Sequence, residues 1–412
     1  GNPTFRVSLD GGKTWLRDDN GAELHYEISS NGSTIDPVQV KNLKISFSSL
    51  TDFNAGDKFD IMPKTGLYWN EPTRGPQNVT PQTFFDGTEN QNRVSGGKLT
   101  TYFSIRDNNC GRYLDELDAT AKSLIWEVNR IHSQGAGTKL FDYAQGQQGV
   151  QNSTVPLGSA QTVLPDAGKI QAGNVNFYFY DKTTGDYVSS DLLDFSGIAP
   201  GSPNFDPAVH SLDDVVSAIN STFPTQLSAS VQDGRLVITT AAGSNLQFAL
   251  GTDSTGMMAA LGINTFFTGT DASTIAVNSQ LHSNVNYIAA GQVNGQQQIN
   301  VGDNANATAI GKLADTNVTI STVWKTTTNQ TLSQYYASLV TTVGADTRLA
   351  KTNSEYHATL TSDLDTQVSS ASGVNLDEEM ANLIKYQHSY TAAAKLITTA
   401  DQMLQTLLGL KQ

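Results

Sequence analysis

The hydrophobic positions of this chain keep two rhythms, and each predicts a different kind of element. Toward the C-terminal end, Met380, Leu383, Gln387, Tyr390, Ala394, Ile397, Asp401, Leu404 and Leu408 are spaced alternately by three and four residues. Residues so spaced share one face of a helix and repeat about every 3.5 positions, the mark of a coiled-coil seam. Asn375 stands where an N-cap belongs and Glu378 where it completes a capping box. Asp377, Glu378 and Glu379 suit the positive end of the helix dipole. Gly373 gives the chain freedom to reverse, and no proline follows Pro224 to break the helix. Gln387 and Asp401 occupy positions where a simple dimer takes aliphatics; polar residues there select a register or a partner at a cost in stability. The seam reads either as a helix folded back on its own domain or as a segment that packs against helices of other subunits.

A similar spacing joins Phe103, Asp107, Cys110, Leu114, Leu117, Ala121, Leu124, Val128 and Ile131. It predicts a helix of roughly 35 residues ending near Gln134-Gly135, far beyond the usual ~11. Such a rod must lie along other long helices to bury its stripe. Ile310 and Leu313 bring the helical pattern back briefly, and Leu332, Tyr335, Tyr336, Leu339 and Val343 begin it again. Leu349, Tyr356, Leu360, Leu364 and Val368 carry it to about Ser370.

Elsewhere the period is two, the period of a half-buried strand. Phe5, Val7 and Leu9 alternate with polar residues before Asp10-Gly11-Gly12, and Leu24, Tyr26 and Ile28 before Asn31-Gly32. Stretches 38–40, 43–47 and 59–62 are further strands, with Ala55-Gly56-Asp57 as a turn and 63–81 as a Pro/Gly/Asn-rich connection. Residues 145–173 read as loop and 175–180 as a strand. Ser211 to Asp214 cap a short helix bearing Val215, Val216 and Ile219. A hairpin of 227–231 with 235–239 follows, then a strand at 246–250 and one helical turn at 257–261. Residues 268–305 are polar and loop-like, with a strand at 275–277. The fold class is therefore α+β: a long helical rod, about 97–135 and 325–412, with inserted or appended β-rich domains. The boundaries fall at 1–95 for a β-rich domain, 96–145 for the long rod helix and 146–306 for an inserted β-rich domain. Residues 307–371 are returning rod helices, and 372–412 the terminal coiled-coil helix.

Composition narrows the function. The 412 residues carry a formal net charge of −14, which argues against holding nucleic acid or an anionic membrane through charge. The single cysteine, Cys110, rules out an internal disulfide. No stretch approaches the ~18 apolar residues of a membrane span. Gly1-Asn2-Pro3 leads almost directly into a strand-like run, with neither an initiator Met nor a signal peptide. An N-terminal portion of the natural protein is therefore expected to be missing.

Candidate chemistry is sparse. Ser8-Leu9-Asp10-Gly11-Gly12-Lys13-Thr14-Trp15 matches the S-x-D-x-G-x-T-W pattern of the Asp box found in sialidases and other propeller proteins. Mechanically that pattern is a hairpin whose Asp and glycines make the turn. It occurs once here, without a blade-length repeat, so hairpin stability is the favoured reading. A carbohydrate-binding or carbohydrate-active β protein is the alternative. Histidines 25, 132, 210, 282, 357 and 388 are scattered without metal-ligand spacing, and His132 and His388 read as flank residues of the rods. Asp303-Asn304-Ala305-Asn306 lacks the Gly and Glu of a calcium loop and reads as a capped loop. Nucleophile-elbow, P-loop and dinucleotide motifs are absent. No catalytic residue, metal or cofactor is expected, and the chain does not read as an enzyme. Tyr335, Tyr336, Tyr356, Tyr386 and Tyr390 read as helix packing rather than a sugar platform.

Five stretches carry a resemblance. Ser372-Gly373-Val374-Asn375-Leu376-Asp377-Glu378-Glu379 and the spacing Leu383, Tyr386, Gln387, Tyr390, Ala394, Ile397, Ala400, Asp401, Leu404, Leu407 resemble the C-terminus of bacterial flagellar axial proteins. Gly96-Gly97-Lys98-Leu99, Arg106-Asp107, Leu114-Asp115, Glu127-Val128-Asn129 and His132-Ser133-Gln134-Gly135 are similar to the central helix of the hook-associated protein 1 family. Leu261-Gly262-Ile263-Asn264-Thr265-Phe266-Phe267-Thr268-Gly269 and Gly302-Asp303-Asn304-Ala305-Asn306-Ala307 resemble other signatures of that family. Residues 213–240 are similar to a small β motif of hook-associated proteins and flagellins. The resemblance implies a structural protein exported without a cleaved signal to the extracellular flagellum. It implies a ring of self-copies between hook protein and a second junction protein. Terminal helices would form an inner tube, β domains would face outward, and an export chaperone would hold the C-terminal helix. It also implies N-terminal helices, absent from this sequence, that pair with the C-terminal one. Another flagellar axial protein is a further alternative.

Overall fold

The computed structural model describes residues 3–8, 15–18, 21–31, 34–41, 43–45, 47, 61, 66–73, 75–81, 89–322 and 327–410. Alternation at the N-terminal end becomes pairs of short antiparallel strands. β1 (Thr4–Phe5) pairs with β2 (Tyr26–Glu27), β3 (Ser30–Asn31) with β4 (Thr34–Ile35), and β5 (Val38–Val40) with β6 (Leu43–Ile45). The expected connection at 63–81 instead contains a hairpin, β7 (Tyr68–Glu71) with β8 (Gly75–Asn78). Gly75 takes a left-handed φ of 74° at its turn, and Pro76 is tolerated because a two-stranded ribbon has only edge strands. Of the expected Asp-box hairpin, Leu9 to Thr14 lie outside the described residues. Among those described, the Leu16 amide donates to the Val7 carbonyl at 2.9 Å. The expected turn at 55–57 also lies outside the described residues, as does the strand at 59–62 save Ile61.

The long helix forms, with an interruption that the sequence pattern conceals. α1 (Gly97–Ser104) and α2 (Gly111–His132) are joined by π-helical turns at Ile105–Cys110. Those wider turns change the phase of the stripe. Asp107, Ala121 and Val128 from the expected stripe are buried, but Leu114 is 60% exposed and Cys110 is exposed. The face of α2 turned inward is Glu116, Ala119, Ala121, Ser123, Ile125, Trp126, Val128, Asn129 and His132.

Two three-stranded sheets follow. β9 (Tyr143–Gln145) returns from the helix; β10 (Val175–Asp181) and β11 (Tyr187–Leu192) form a hairpin. α3 (Leu212–Thr222) precedes β12 (Leu227–Gln232), β13 (Arg235–Thr240) and β14 (Leu246–Asp253). The orders are β11-β10-β14 and β12-β13-β9. Ser211 caps α3 in a full capping box with Asp214. Leu212, Val215, Ala218 and Ile219 of α3 join Phe177, Phe179, Phe223 and Phe248 in one core, which also takes Trp126 from α2. The Phe223 ring sits 5.2 Å from Phe177 and 5.1 Å from Phe179, within the range where aromatic pairs attract beyond their burial. The β-rich body is thus built on the rod helix rather than beside it.

α4 (Met257–Leu261) leads to the β15 (Phe267–Thr268) and β16 (Ala276–Val277) hairpin, then α5 (Ser279–Ser283) and α6 (Ala305–Lys312). Where rod helix was expected from about 325, a hairpin of β17 (Val318–Ile320) and β18 (Thr328–Gln330) comes first. Val318 and Ile320 are buried with Ala119 and Tyr335, a small second core that claims these residues as strand. α7 (Leu332–Ser372) and α8 (Leu376–Gly409) complete the chain. The architecture is α+β, with the chain divided into compact units 1–337 and 338–412.

Candidate functional site

The terminal helix begins as its sequence predicts. Asn375 is the N-cap, and its side-chain oxygen accepts the Asp377 amide at 3.1 Å. The cap closes on the second helical residue, so the expected capping box with Glu378 does not form. Gly373 is required by crowding: its amide donates to Ser369 O at 2.7 Å, and a Cβ there would collide with that carbonyl.

Met380, Leu383, Gln387, Tyr390, Ala394, Ile397, Asp401, Leu404 and Leu408 all lie on α8, and all are exposed. The six large apolar ones among them are 58–78% exposed. Asp401 accepts a hydrogen bond from Gln405 one turn on, at 3.2 Å. A second line runs beside the first: Leu383, Tyr386, Tyr390, Ala393, Ile397, Ala400, Leu404 and Leu407. It keeps the same three-and-four spacing with no polar interruption. Leu349, Tyr356, Leu360, Leu364 and Val368 of α7 are exposed as well. Every described residue from 347 onward is exposed. A helix standing alone gains little from propensity, and each covered Leu or Ile is worth about 1.5–3 kcal/mol. An uncovered stripe of this length is therefore a surface suited to packing on other helices.

The other signature stretches meet elsewhere, at the C-terminal end of α2. Asn129 binds the Phe266-Phe267 backbone as a strand would. Its Oδ1 accepts both amides, at 2.9 and 2.8 Å, and its Nδ2 donates to Phe267 O at 2.9 Å. Asn264, at a left-handed φ of 52° that Asn tolerates, fans its amide across the carbonyls of His132, Ser133 and Gly135 at 3.0–3.3 Å. It thereby satisfies carbonyls the helix end leaves open. His132, expected on a flank, is wholly buried: its ring bonds Asn264 O at 2.8 Å and the Ala289 amide at 3.0 Å. Asn306, also buried, donates to Ala289 O at 2.8 Å, and Gly135 is needed because a Cβ would collide with it. Asp303 accepts the Gln292 and Ala305 amides at 2.9 and 3.0 Å, so the stretch at 303–306 is a turn tied down just before α6, whose N-cap Asn304 makes no side-chain cap bond. The residue types announced short polar side chains, but nothing in sequence order announced a node joining positions about 130 to 175 residues apart.

Two carboxylates elsewhere are held by local hydrogen bonds. Side-chain bonds from Ser273 and Thr274, with their backbone amides, hold Asp271 down at about 2. Burial pushes Asp253 up, against bonds from Thr255, Met258 and Gly256. A cavity of about 30 Å³ beside Asn129 and Phe267 has room for about one water. Among the described residues, no group of three or more His, Cys, Asp or Glu is arranged to hold a metal ion. No helix among them is long and apolar enough to cross a membrane.

Comparison with known proteins points one way. The family model for the C-terminal part of the flagellar basal body rod FlgEFG proteins matches residues 366–410, the end of α7 and all of α8. Over 109 residues the chain is 38% identical to flagellar hook-associated protein 1 of Salmonella typhimurium, 26% of this chain and 18% of that protein. Hook-associated protein 1 of Escherichia coli is 29% identical over 176 residues, 41% of this chain and 31% of that protein. Flagellar hook protein FlgE of Caulobacter vibrioides is 52% identical over 42 residues, 10% of this chain and 7% of that protein. The chain thus spans less than a third of the length of each of these relatives. It is similar to structural proteins of the flagellar axis.

Proposed function

We propose that this chain is part of a flagellar axial protein that joins hook to filament, and that it works by packing its terminal helices against those of neighbouring subunits. The observation that carries the reading is a coincidence of place. The residues matched by the flagellar family model, 366–410, are residues whose apolar side chains stand uncovered. Similarity to hook-associated protein 1 favours the junction over other positions along the axis. The partners on this reading are hook protein, a second junction protein and further copies of the chain in a ring. The protein reaches the outside of the cell by flagellar export, without a cleaved signal. An export chaperone covers the α8 stripe until assembly, because an exposed apolar stripe otherwise associates nonspecifically. The work done is mechanical coupling through packed helices, with no catalysis. Met380, Leu383, Gln387, Tyr390, Ala394, Ile397, Asp401, Leu404 and Leu408 form the assembly and chaperone surface.

The test replaces Leu383, Ile397 and Leu404 together with Asp in the flagellated cell. Filament attachment and motility should be lost, while the purified chain keeps the melting transition of its β-rich body. Normal filaments on cells carrying the triple variant would refute the reading.

A further inference from the structure

Both nitrogens of the His132 ring are committed inside the node at the end of α2. Nδ1 lies 2.8 Å from the Asn264 carbonyl oxygen, and Nε2 accepts the Ala289 amide at 3.0 Å. A ring nitrogen that accepts an N–H carries no proton of its own, so the imidazole is neutral and its proton sits on Nδ1, donating to Asn264. One protonation state therefore fastens three segments: the end of α2, residues 264–267 and residues 289–292. The Phe266 ring closes over the imidazole at 5.5 Å. Among the described residues, no carboxylate bonds the ring. On α2, Glu127 and Arg130 pair with each other at 2.9 Å. The 264–267 stretch brings no charge. The 284–292 stretch brings Tyr287, with Lys139 over its ring. α6 brings Lys312 and, just before its start, Asp303, whose oxygens take backbone amides.

We propose that His132 is an acid-released latch: a proton taken from solvent at Nε2 unfastens residues 264–267 and 289–292 from the end of α2. The incoming proton occupies the lone pair that the Ala289 amide uses, so two N–H groups then face each other. It also leaves a cation in a buried site with no bonded counter-charge. Burial holds the ring's pKa below its ordinary 6.5, against the Asn264 bond, which raises it. The released state takes the proton at the ordinary value and the fastened state only at a lower one. Fastening is thus complete above about 6.5 and weakens as pH falls below it. The latch does not depend on the flagellar reading.

Amide-exchange protection, measured on the whole chain from about pH 7.5 to about pH 5, tests this. With one proton taken up per opening, protection at Ala289 should fall by about tenfold per pH unit once the released state titrates. Protection at Phe177 and Phe248, deep in the core, should hold. His132→Gln keeps an oxygen near the place of Nε2 but takes no proton, so its Ala289 protection should be flat with pH. His210, the other buried imidazole, is present in both proteins. A loss shared by both proteins, or no loss in the native one, would overturn the latch. Should the Gln variant not fold, direct titration of the His132 ring by NMR decides. A midpoint below 6.5 supports the latch, and a midpoint at or above 6.5 removes it.

Discussion

The β-rich body and the terminal helices both carry many large apolar side chains, and they use them in opposite ways. In the body, Phe177, Phe179, Leu236 and Phe248 are all but inaccessible. On α8, Leu383, Tyr390, Ile397 and Leu404 meet solvent. The body closes because its sheets, α3 and the inner face of α2 supply one another's partners within a single chain. The helices are rods with a stripe, and a stripe needs a second rod. An apolar pattern states that a face will be covered; it does not state by whom. The contrast predicts that the body answers to substitutions as a folding unit and the helices as an assembly surface.

The strongest way to break that comparison is to exchange the two behaviours. Phe248→Ala, in the body, should cost about 3–5 kcal/mol through lost burial and the cavity left behind, read as a large drop in the melting midpoint. A drop no greater than a surface substitution gives would mean the body is not the folding core. Asn264→Ala should cost about 2 kcal/mol, because it leaves helix-end carbonyls unsatisfied. Chemical denaturation should show that cost, while Asn264→Gly, which fits the left-handed φ, should lose the bonds without adding strain.

Acid sharpens the comparison next. Asp271 is held at about 2, against an ordinary 3.8, chiefly by the Ser273 hydroxyl and also by Thr274 and backbone amides. Its stabilisation is present above the ordinary value and is lost as pH falls from there toward 2. Exchange protection around the β15–β16 hairpin should therefore drop between about pH 4 and about pH 2. Asp271→Asn should lack that step, and an unchanged step in the variant would assign it to another group. At the helix start the effect is smaller. Asn375→Ala should cost about 1 kcal/mol, seen as faster exchange at residues 376–378 with the melting of the body unmoved. Ile397→Ala should fall within about 0.5 kcal/mol for the isolated chain, since Ile397 is exposed there. A cost several times larger would mean that the isolated chain already covers this face.

Much of the fold was legible, and the failures have physical causes. The hairpin of β12 and β13, the capped α3, the strand of β10 and the turn of α4 follow from local period and cap chemistry. The β7–β8 hairpin was hidden because Pro and Gly normally mark connections, whereas a two-stranded ribbon tolerates both. The β17–β18 hairpin was hidden because its burial depends on Ala119 of α2, which is distant in sequence, as well as on Tyr335 just beyond it. The nine seam residues were legible as one helical line, and the parallel line through Tyr386, Ala393, Ala400 and Leu407 follows from the same period. His132 departs from the flank position its sequence context predicts, because a polar residue on an amphipathic helix is ordinarily a flank and its partners Asn264 and Ala289 cannot be found by spacing.

The amino-acid order alone determined where most of the helices and the longer strands run, where α8 starts and which of its positions form an apolar line. It could do so because 3.6-residue and two-residue periods and N-caps are local properties of the chain. The tertiary structure decided which face of α2 turns inward past the π-helical turns at Ile105–Cys110. It also decided that Asn129, His132, Asn264 and Asn306 converge on one node. Those outcomes depend on groups far apart in sequence competing for the same buried hydrogen bonds, and only the folded chain brings such groups together.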